Sequence, residues 1–248
     1  IKSAKNKALS MVDNDQITFI PERSKNRFRS MLETRPDWLV SRQRLWGVPL
    51  GIFQNKITKL PLLDSNLCEI VQNNGIYKWH SLSVEDYFSL SGRTDHDEYE
   101  KVNGVLDVWF DSSCIQDMNN NKNADLYVEG SDQHRGWFSS SLLKGILTDN
   151  IPFKTVLTHG FVVDDSNFKM SKSGKNGMSP KDILKKYNSD VLRLWVASVD
   201  YTNDISMRDD VLKNVSSLYD KIRNPFRYMT GILLNYPVKD KVTTTDIH

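Results

Sequence analysis

A strand, helix and strand pattern in the middle of the chain constrains the fold most. Apolar residues indicate a strand over 125–130, a helix over 134–147 and a second strand over 155–163. Two strands about thirty residues apart that are joined by a helix form a βαβ unit, in which the strands are parallel. The pattern therefore predicts an α/β fold with ligand chemistry at the carboxyl ends of its strands.

Helices are predicted on both sides of this unit. Residues 22–33 have apolar side chains at helical spacing, and Arg35-Pro36 should end that helix. Ser179 followed by Pro180 is a typical helix start. An apolar stripe at helical spacing over 209–234 predicts a long helix, which Pro225 should kink or interrupt. The run over 39–53 fits strand and loop equally.

Composition limits the class of protein. With 248 residues, 39% hydrophobic and 26% charged, the chain reads as a soluble globular protein without an apolar run long enough for a membrane. Two cysteines make no disulfide framework, so we expect a reduced compartment, the cytoplasm or an organellar matrix. The first residues are polar and do not begin with Met, so we expect this sequence to begin inside a longer protein.

The segment over 169–177 carries the clearest chemical signal. It reads KMSKSGKNG, with lysines, hydroxyls and glycines following a predicted strand. Glycines let backbone N–H groups approach a polyphosphate, and ammonium groups offset its charge. The same composition also suits a mobile basic turn. Residues 1–50 hold an excess of basic residues that could face phosphates or form a solvated surface.

Several blocks together carry a family resemblance. They occur in family order and read KMSKS at 169–173, RPDW at 35–38, SRQRLWG at 41–47, LDVWFDS at 106–112, EGSDQHRGWF at 129–138 and LTHGF at 157–161. On these blocks the chain resembles the class I aminoacyl-tRNA synthetases over most of residues 17–236, and their isoleucyl branch in particular. The EGSDQHRGWF and DVWFDS blocks separate that branch from the valyl and leucyl ones.

The resemblance implies a fold and a division of the chain. The fold class is α/β, the second half of a Rossmann-like nucleotide-binding parallel sheet followed by the start of an α-helical bundle. Residues 1–21 would be the exit segment from an editing insertion. The catalytic half would span 22–178, with a small excursion at about 55–104. A linker that contacts the tRNA stem would span 179–205, and a helical anticodon-binding domain would begin at 206–248.

The resemblance also implies site residues. The aminoacyl-adenylate would contact residues on the EGSDQH block and two tryptophans that wall the side-chain pocket, namely Glu129, Gly130, Asp132, Gln133, Trp109 and Trp137. ATP would contact the His-Gly pair and the loop, namely His159, Gly160, Lys169, Met170, Ser171, Lys172 and Ser173. Lys172 and Lys169 would be catalytic, with Lys172 the principal lysine. Without the resemblance, the residue pattern favours a structural reading of the first set, as a strand end with an N-cap acid and as core tryptophans.

The implied reaction joins isoleucine to tRNA(Ile) with ATP, and Mg²⁺ accompanies the nucleotide. We expect no zinc or other metal site in this segment, no membrane partner and a monomeric full-length protein. The H-x-G-H motif of the family is absent from the sequence, so we expect this chain to be inactive alone. A valyl or leucyl enzyme and a non-catalytic RNA-binding paralogue remain alternatives. Gly174-Lys175, Ser113 and Pro225 depart from the family pattern.

Overall fold

The computed structural model divides the chain into two compact units. It describes residues 2–118, 123–164, 166–171 and 177–234. Unit 1 spans Ile1–Thr158, and unit 2 spans His159–His248. The division by function that the sequence suggested at residues 22, 179 and 206 remains a prediction.

Helices and strands alternate along the described residues. The α-helices are α1 Lys2–Asp13, α2 Ser24–Glu33, α3 Ser65–Ser81, α4 Val84–Ser91, α5 Val108–Ser113, α6 Ile115–Met118, α7 Trp137–Leu147, α8 Pro180–Lys186, α9 Ser189–Ser198 and α10 Asp209–Leu234. The strands are β1 Thr18–Ile20, β2 Ser41–Arg42, β3 Phe53–Asn55, β4 Tyr99–Lys101, β5 Val105–Leu106, β6 Ala124–Gly130, β7 Phe153–His159, β8 Val162–Val163 and β9 Ile205–Ser206. Short 3₁₀ turns occupy His96–Glu98 and Ser131–His134.

The central sheet of unit 1 has the strand order β1-β7-β6. Strand β1 pairs in parallel with β7, in the register that places Phe19 opposite Val156. Strand β6 lies on the other side of β7, and α7 connects the two. The α/β fold with a parallel, Rossmann-like sheet is therefore confirmed.

One face of this sheet is covered by helices. Phe19, Tyr127 and Val156 are buried on that face, and α1, α2 and α7 contribute to the same hydrophobic cluster through Ala8, Val12, Phe28, Leu32, Phe138, Leu142 and Leu143. Apolar residues at helical spacing cover such a face because they lie on one side of each helix. The predicted helix over 22–33 is confirmed as α2.

A second hydrophobic cluster lies in the segment between β3 and β4. Phe53 packs against Trp79, Tyr87 and Phe88. Asp64 caps the start of α3 by accepting from the Leu67 N–H at 3.1 Å. Strands β3 and β4 pair in antiparallel fashion and close this segment on itself.

The structure corrects two predicted boundaries. The helix predicted over 134–147 begins at Trp137, because Gly136 has a non-helical φ of −89° and ψ of −116° after the 3₁₀ turn. The strand predicted over 155–163 is two strands, β7 and β8. Gly160 donates its N–H to the Tyr201 carbonyl, and β8 pairs with β9 instead of continuing in the central sheet.

Unit 2 is built from β8, β9 and α8–α10. Ser179 caps α8 at the predicted position, with its hydroxyl accepting from the Asp182 N–H at 3.2 Å. Helix α10 continues through Pro225, so the interruption offered as one alternative is wrong, and a kink at this position remains a prediction. Pro225 and Lys221 are exposed, and water can solvate the Lys221 carbonyl that proline leaves unpaired. In the part of the chain that the structure describes, no helix has the length and apolar character of a membrane span.

Candidate functional site

A cleft of about 490 Å³ opens in unit 1 beside the carboxyl end of β6. Three residues predicted to contact an aminoacyl-adenylate line it: Trp109, Asp132 and Gln133. The rest of the lining comes from residues 35–42, from the N-cap of α5 and from the two residues before α7, namely Arg35, Pro36, Asp37, Trp38, Leu39, Arg42, Asp107, Arg135 and Gly136. The fold therefore brings together residues as far apart in sequence as Arg35 and Gly136.

Asp107 is the buried acid of this cleft, with 4% of its surface exposed. Its Oδ2 accepts from Trp38 Nε1 at 2.8 Å and from an Arg42 guanidinium nitrogen at 2.9 Å. Its Oδ1 accepts from the backbone N–H of Trp109 at 3.4 Å and so caps α5. A buried carboxylate needs such partners, because an unpaired buried charge is strongly destabilising.

Trp109 and Gln133 pack closely against Gly136. A Cβ added at Gly136 would lie 2.6 Å from Gln133 Oε1 and 3.1 Å from the Trp109 ring. Gln133 Oε1 also accepts from the backbone N–H of Trp137 at 3.0 Å. Only glycine lets the turn, the indole and the start of α7 approach one another this closely.

Arg35 joins the RPDW block to the start of α7 and to the residues before it. Its guanidinium donates to the Arg135 carbonyl at 2.6 Å and to Ser139 Oγ at 2.5 Å. It also lies 5.4 Å from the ring centroid of Trp38. Burial and the positive charge of Arg135 hold the pKa of Arg35 below its ordinary value. The RPDW block therefore braces the turn that carries Asp132 and Gln133.

Glu129 and Gly130 form the carboxyl end of β6. Glu129 is exposed, and its Oε2 accepts from the Gly130 N–H at 3.3 Å. Gly130 is buried and leads into the 3₁₀ turn over Ser131–His134. This position at a strand end is where α/β folds place ligand-binding groups.

The indole of Trp137 is held in the core. Its ring stacks on Tyr127 with centroids 4.1 Å apart, and its Nε1 donates to the Ser112 carbonyl at 3.0 Å. Trp137 is not among the residues that line the cleft. Its proposed contact with a ligand therefore remains a prediction, whereas Trp109 presents its ring to the cleft.

His134, for which the motifs predict no role, is almost fully buried below the same turn. Its Nε2 lies 2.8 Å from Thr158 Oγ1, and its ring packs against Phe28 and Phe138. Burial lowers its pKa from 6.5 to about 4, and the charge of Arg27 contributes. His134 is therefore neutral near pH 7 and anchors the turn that carries Asp132 and Gln133.

In unit 2, His159 is the last residue of β7 and Gly160 follows it directly. His159 Nδ1 lies 2.7 Å from the Gly160 carbonyl oxygen. A Cβ added at Gly160 would lie 2.0 Å from the Asn203 carbonyl oxygen. The close approach that requires glycine here is thus to the backbone of Asn203, and an adenosine contact remains a prediction.

The KMSKS segment belongs to unit 2, where its first residues pair with the short strand β8. Lys169 forms an antiparallel bridge with Val163, and the Met170 N–H donates to the Val162 carbonyl at 2.9 Å. The Lys169 ammonium lies 3.7 Å from the ring centroid of Phe161, within cation–π range. Ser171 ends this described stretch, and Lys172 and Ser173 lie outside the described residues.

Motif reading missed the residues that hold the cleft together. Trp38, Arg42 and Asp107 lie within blocks of family resemblance, so the signal was present, but it assigned them no contacts. The described residues contain no group of three or more His, Cys, Asp or Glu side chains placed to hold a metal ion. The donors that line the cleft are arginine, tryptophan and amide groups, which suit an organic ligand with carbonyl or phosphate oxygens.

Most of this chain is similar to known proteins. A sequence profile described as tRNA synthetases class I (I, L, M and V) matches residues 1–208. The isoleucine–tRNA ligase of a Nitratiruptor species is 45% identical over 235 residues, which cover 89% of this chain and 26% of that protein. The isoleucine–tRNA ligase of Pelagibacter ubique is 45% identical over 238 residues, which cover 92% of this chain and 26% of that protein.

Among solved structures, a ternary complex of LeuRS, tRNA and LeuAMS from Agrobacterium radiobacter K84 superposes with a TM-score of 0.60. It is 18% identical and covers 85% of this chain and 30% of that one, a similarity that concerns the fold. The chain spans about a quarter of the length of the curated relatives it matches.

Proposed function

Because the chain belongs to the class I tRNA synthetase family, whose profile spans residues 1–208, we propose that it forms part of an isoleucine–tRNA ligase. The observation that carries the proposal is the identity of 45% to isoleucine–tRNA ligases over 89–92% of the chain. The cleft that gathers Trp109, Asp132 and Gln133 supports it.

The proposed reaction has two steps. The isoleucine carboxylate attacks the α-phosphorus of ATP, isoleucyl-adenylate forms and pyrophosphate leaves. The terminal ribose hydroxyl of tRNA(Ile) then attacks the adenylate carbonyl and AMP leaves. Mg²⁺ is part of the MgATP substrate. The protein would act by holding the reactants in line and by stabilising charge on the phosphates, without a covalent enzyme intermediate.

The cleft of unit 1 would hold the aminoacyl end of the adenylate. Trp109 offers an apolar wall, 38% exposed, to the side chain. Asp132 and Gln133 offer polar groups beside it, and Gln133 is itself oriented by the Trp137 N–H. Glu129 and Gly130 at the strand end would contact the more polar part of the intermediate.

The segment over 169–173 would hold the phosphates. Lys169 is presented by β8, and Lys172 is expected from the KMSKS motif to be the principal charge-stabilising group. Met170, Ser171 and Ser173 would support these lysines, and His159 with Gly160 would contact the adenosine. An ammonium placed where phosphate charge grows stabilises the transition state more than the bound substrate.

Amino-acid-dependent exchange of pyrophosphate into ATP tests this proposal. We expect the full-length protein that contains this chain to exchange far faster with isoleucine than with valine or leucine. The measurement should use a variant whose editing is disabled, so that only activation is compared. A higher rate with valine or leucine would assign the protein to another branch, and no exchange with any of the three would point to a non-catalytic relative.

A further inference from the structure

The single carboxylate of Asp107 bonds to three other residues that line the cleft, Trp38, Arg42 and Trp109. One oxygen, Oδ2, faces Trp38 Nε1 and the Arg42 guanidinium at 2.8 and 2.9 Å. The other, Oδ1, faces the backbone N–H of Trp109 at 3.4 Å. The carboxylate thus ties the RPDW and SRQ blocks to the first turn of α5, where Trp109 begins the cleft wall.

We propose that Asp107 is a positioning residue that sets the place of the Trp109 wall and thereby the fit of the amino-acid side chain. The inference rests on the proposed function for the identity of that ligand. The geometry of the contacts stands independently of it.

Burial strengthens the contacts of the Asp107 carboxylate. The Asp107 side chain is 6% exposed and Arg42 is 36% exposed, so the ion pair is screened less than a surface pair. The neighbouring backbone is fixed as well, because the Asp107 N–H donates to the Val40 carbonyl at 2.7 Å. Strands β2 and β5 pair immediately beside it, with Arg42 opposite Val105.

The Trp109 ring lies close to the turn that precedes α7. It touches Gly136 on one side, where an added Cβ would lie 3.1 Å from the ring. A displacement of the first turn of α5 therefore carries the indole toward or away from Gln133 and Gly136. The amino-acid side of the cleft changes shape with it.

Asp107→Asn tests the inference most directly. The carboxylate accepts hydrogen bonds with both oxygens, whereas an amide has only one oxygen that can accept them. If its oxygen faces Trp38 and Arg42, its NH₂ meets the Trp109 N–H. If its oxygen caps Trp109, its NH₂ meets two donors. Either orientation places donor against donor, although the side chain keeps its size.

The control variant is Asp64→Asn. Asp64 also caps a helix with one oxygen, accepting from Leu67 at 3.1 Å, and pairs with Arg93 through the other at 3.0 Å. It lies in the segment with the second hydrophobic cluster and does not line the cleft. Asp64→Asn should therefore lower the stability of the protein, as Asp107→Asn does. It should leave the KM for isoleucine unchanged.

The first measurement is the ¹⁹F spectrum of this chain labelled with 5-fluorotryptophan. We expect Asp107→Asn to shift the resonances of Trp38 and Trp109 and to leave that of Trp195 in place. The second is isoleucine-dependent pyrophosphate exchange by the full-length protein. We expect the KM for isoleucine to rise roughly tenfold, the lower end of what a changed fit in a hydrophobic pocket costs, with a much smaller change in kcat.

Trp38→Phe provides a second variant if Asp107→Asn does not fold. It removes one donor and keeps an aromatic ring, so it should shift Trp109 and raise the KM by a smaller factor. Unmoved Trp109 resonances would overturn the inference. Moved resonances with an unchanged KM for isoleucine would overturn it too. Absence of exchange in the unmodified protein would refute the proposed function instead, and the fluorine spectra would still decide whether Asp107 positions Trp109.

Discussion

At the scale of single residues, Lys172 is expected to contribute most to the chemistry. Lys172→Ala should slow adenylate formation by roughly a hundred- to a thousandfold, about 2.7–4 kcal/mol, with little effect on isoleucine binding. The ammonium contacts the phosphates mainly in the transition state. Its loss therefore lowers the rate and leaves ground-state affinity unchanged.

Single-turnover kinetics with direct isoleucine titration measures both quantities. Lys172→Arg should restore only part of the rate, since a planar guanidinium does not reproduce a compact ammonium. Lys181→Ala, on the exposed surface of α8, is the control and should leave the rate unchanged. Weakened binding with an unchanged chemical step would contradict the transition-state role.

His134 should make stability depend on pH. Its folded-state pKa of about 4 is below the ordinary 6.5, so the unfolded chain binds the proton more tightly. The contribution to stability is full above about pH 6.5 and is lost as pH falls toward 4, at about 1.4 kcal/mol per pH unit.

Urea unfolding at about pH 7 and about pH 4.5 checks this dependence. Carboxylates also titrate in that range, so the readout is the difference between the unmodified chain and His134→Gln. The variant keeps an N–H near Thr158 and cannot be protonated, and it should lose less stability on acidification. Equal losses in the two proteins would show that His134 does not titrate as its burial predicts.

Gly160 and Gly231 form a matched pair. Gly160→Ala should destabilise the chain by about 1–3 kcal/mol or more, because the new Cβ would lie 2.0 Å from a backbone oxygen. Gly231→Ala has open space within exposed helix α10 and should stabilise it by about 0.5–1 kcal/mol. Thermal unfolding of the two variants gives the comparison, and equal effects would refute the packing argument.

Motif reading at this scale located Trp109, Asp132 and Gln133, which the cleft brings together. It did not find the role of Asp107, because that role depends on Trp38, 69 positions away. A motif records which residue types recur and not which side chain satisfies a buried charge. Such partners become visible only when the chain has folded.

At the scale of elements, α10 offers a direct test of the rule that proline destabilises the interior of a helix. Pro225 removes one helical hydrogen bond from a helix that nonetheless continues to Leu234. Pro225→Ala should therefore increase helix stability by up to about 3 kcal/mol, and far-UV circular dichroism during thermal unfolding measures the gain. Asn224→Ala, at the neighbouring exposed position, should gain at most about 0.7 kcal/mol. Equal gains would show that proline carries no special cost here.

Element types were more predictable than their ends. Spacing predicted α2, and capping chemistry at Ser179 predicted the start of α8. The strand over 155–163 looked continuous because most of its residues favour strands. Its division at Gly160 depends on pairing with residues 201–205, which local sequence does not encode.

At the scale of the whole molecule, the sequence predicted the fold class correctly from its βαβ pattern. The parallel pairing of β1 with β7 and the position of β6 beside β7 fulfil that prediction. The two-unit division was not predicted, because it follows from the density of contacts between distant residues. Family motifs lie in both units, with the EGSDQH block in one and the KMSKS segment in the other.

The central claim is that this chain belongs to a protein that joins isoleucine to tRNA(Ile). Aminoacylation by the full-length protein, with isoleucine and valine each supplied with tRNA(Ile) and tRNA(Val), tests it most directly. We expect isoleucine to accumulate on tRNA(Ile), with the three other combinations far slower. Charging of tRNA(Val) with valine at a higher rate, or no charging of either tRNA, would contradict the account.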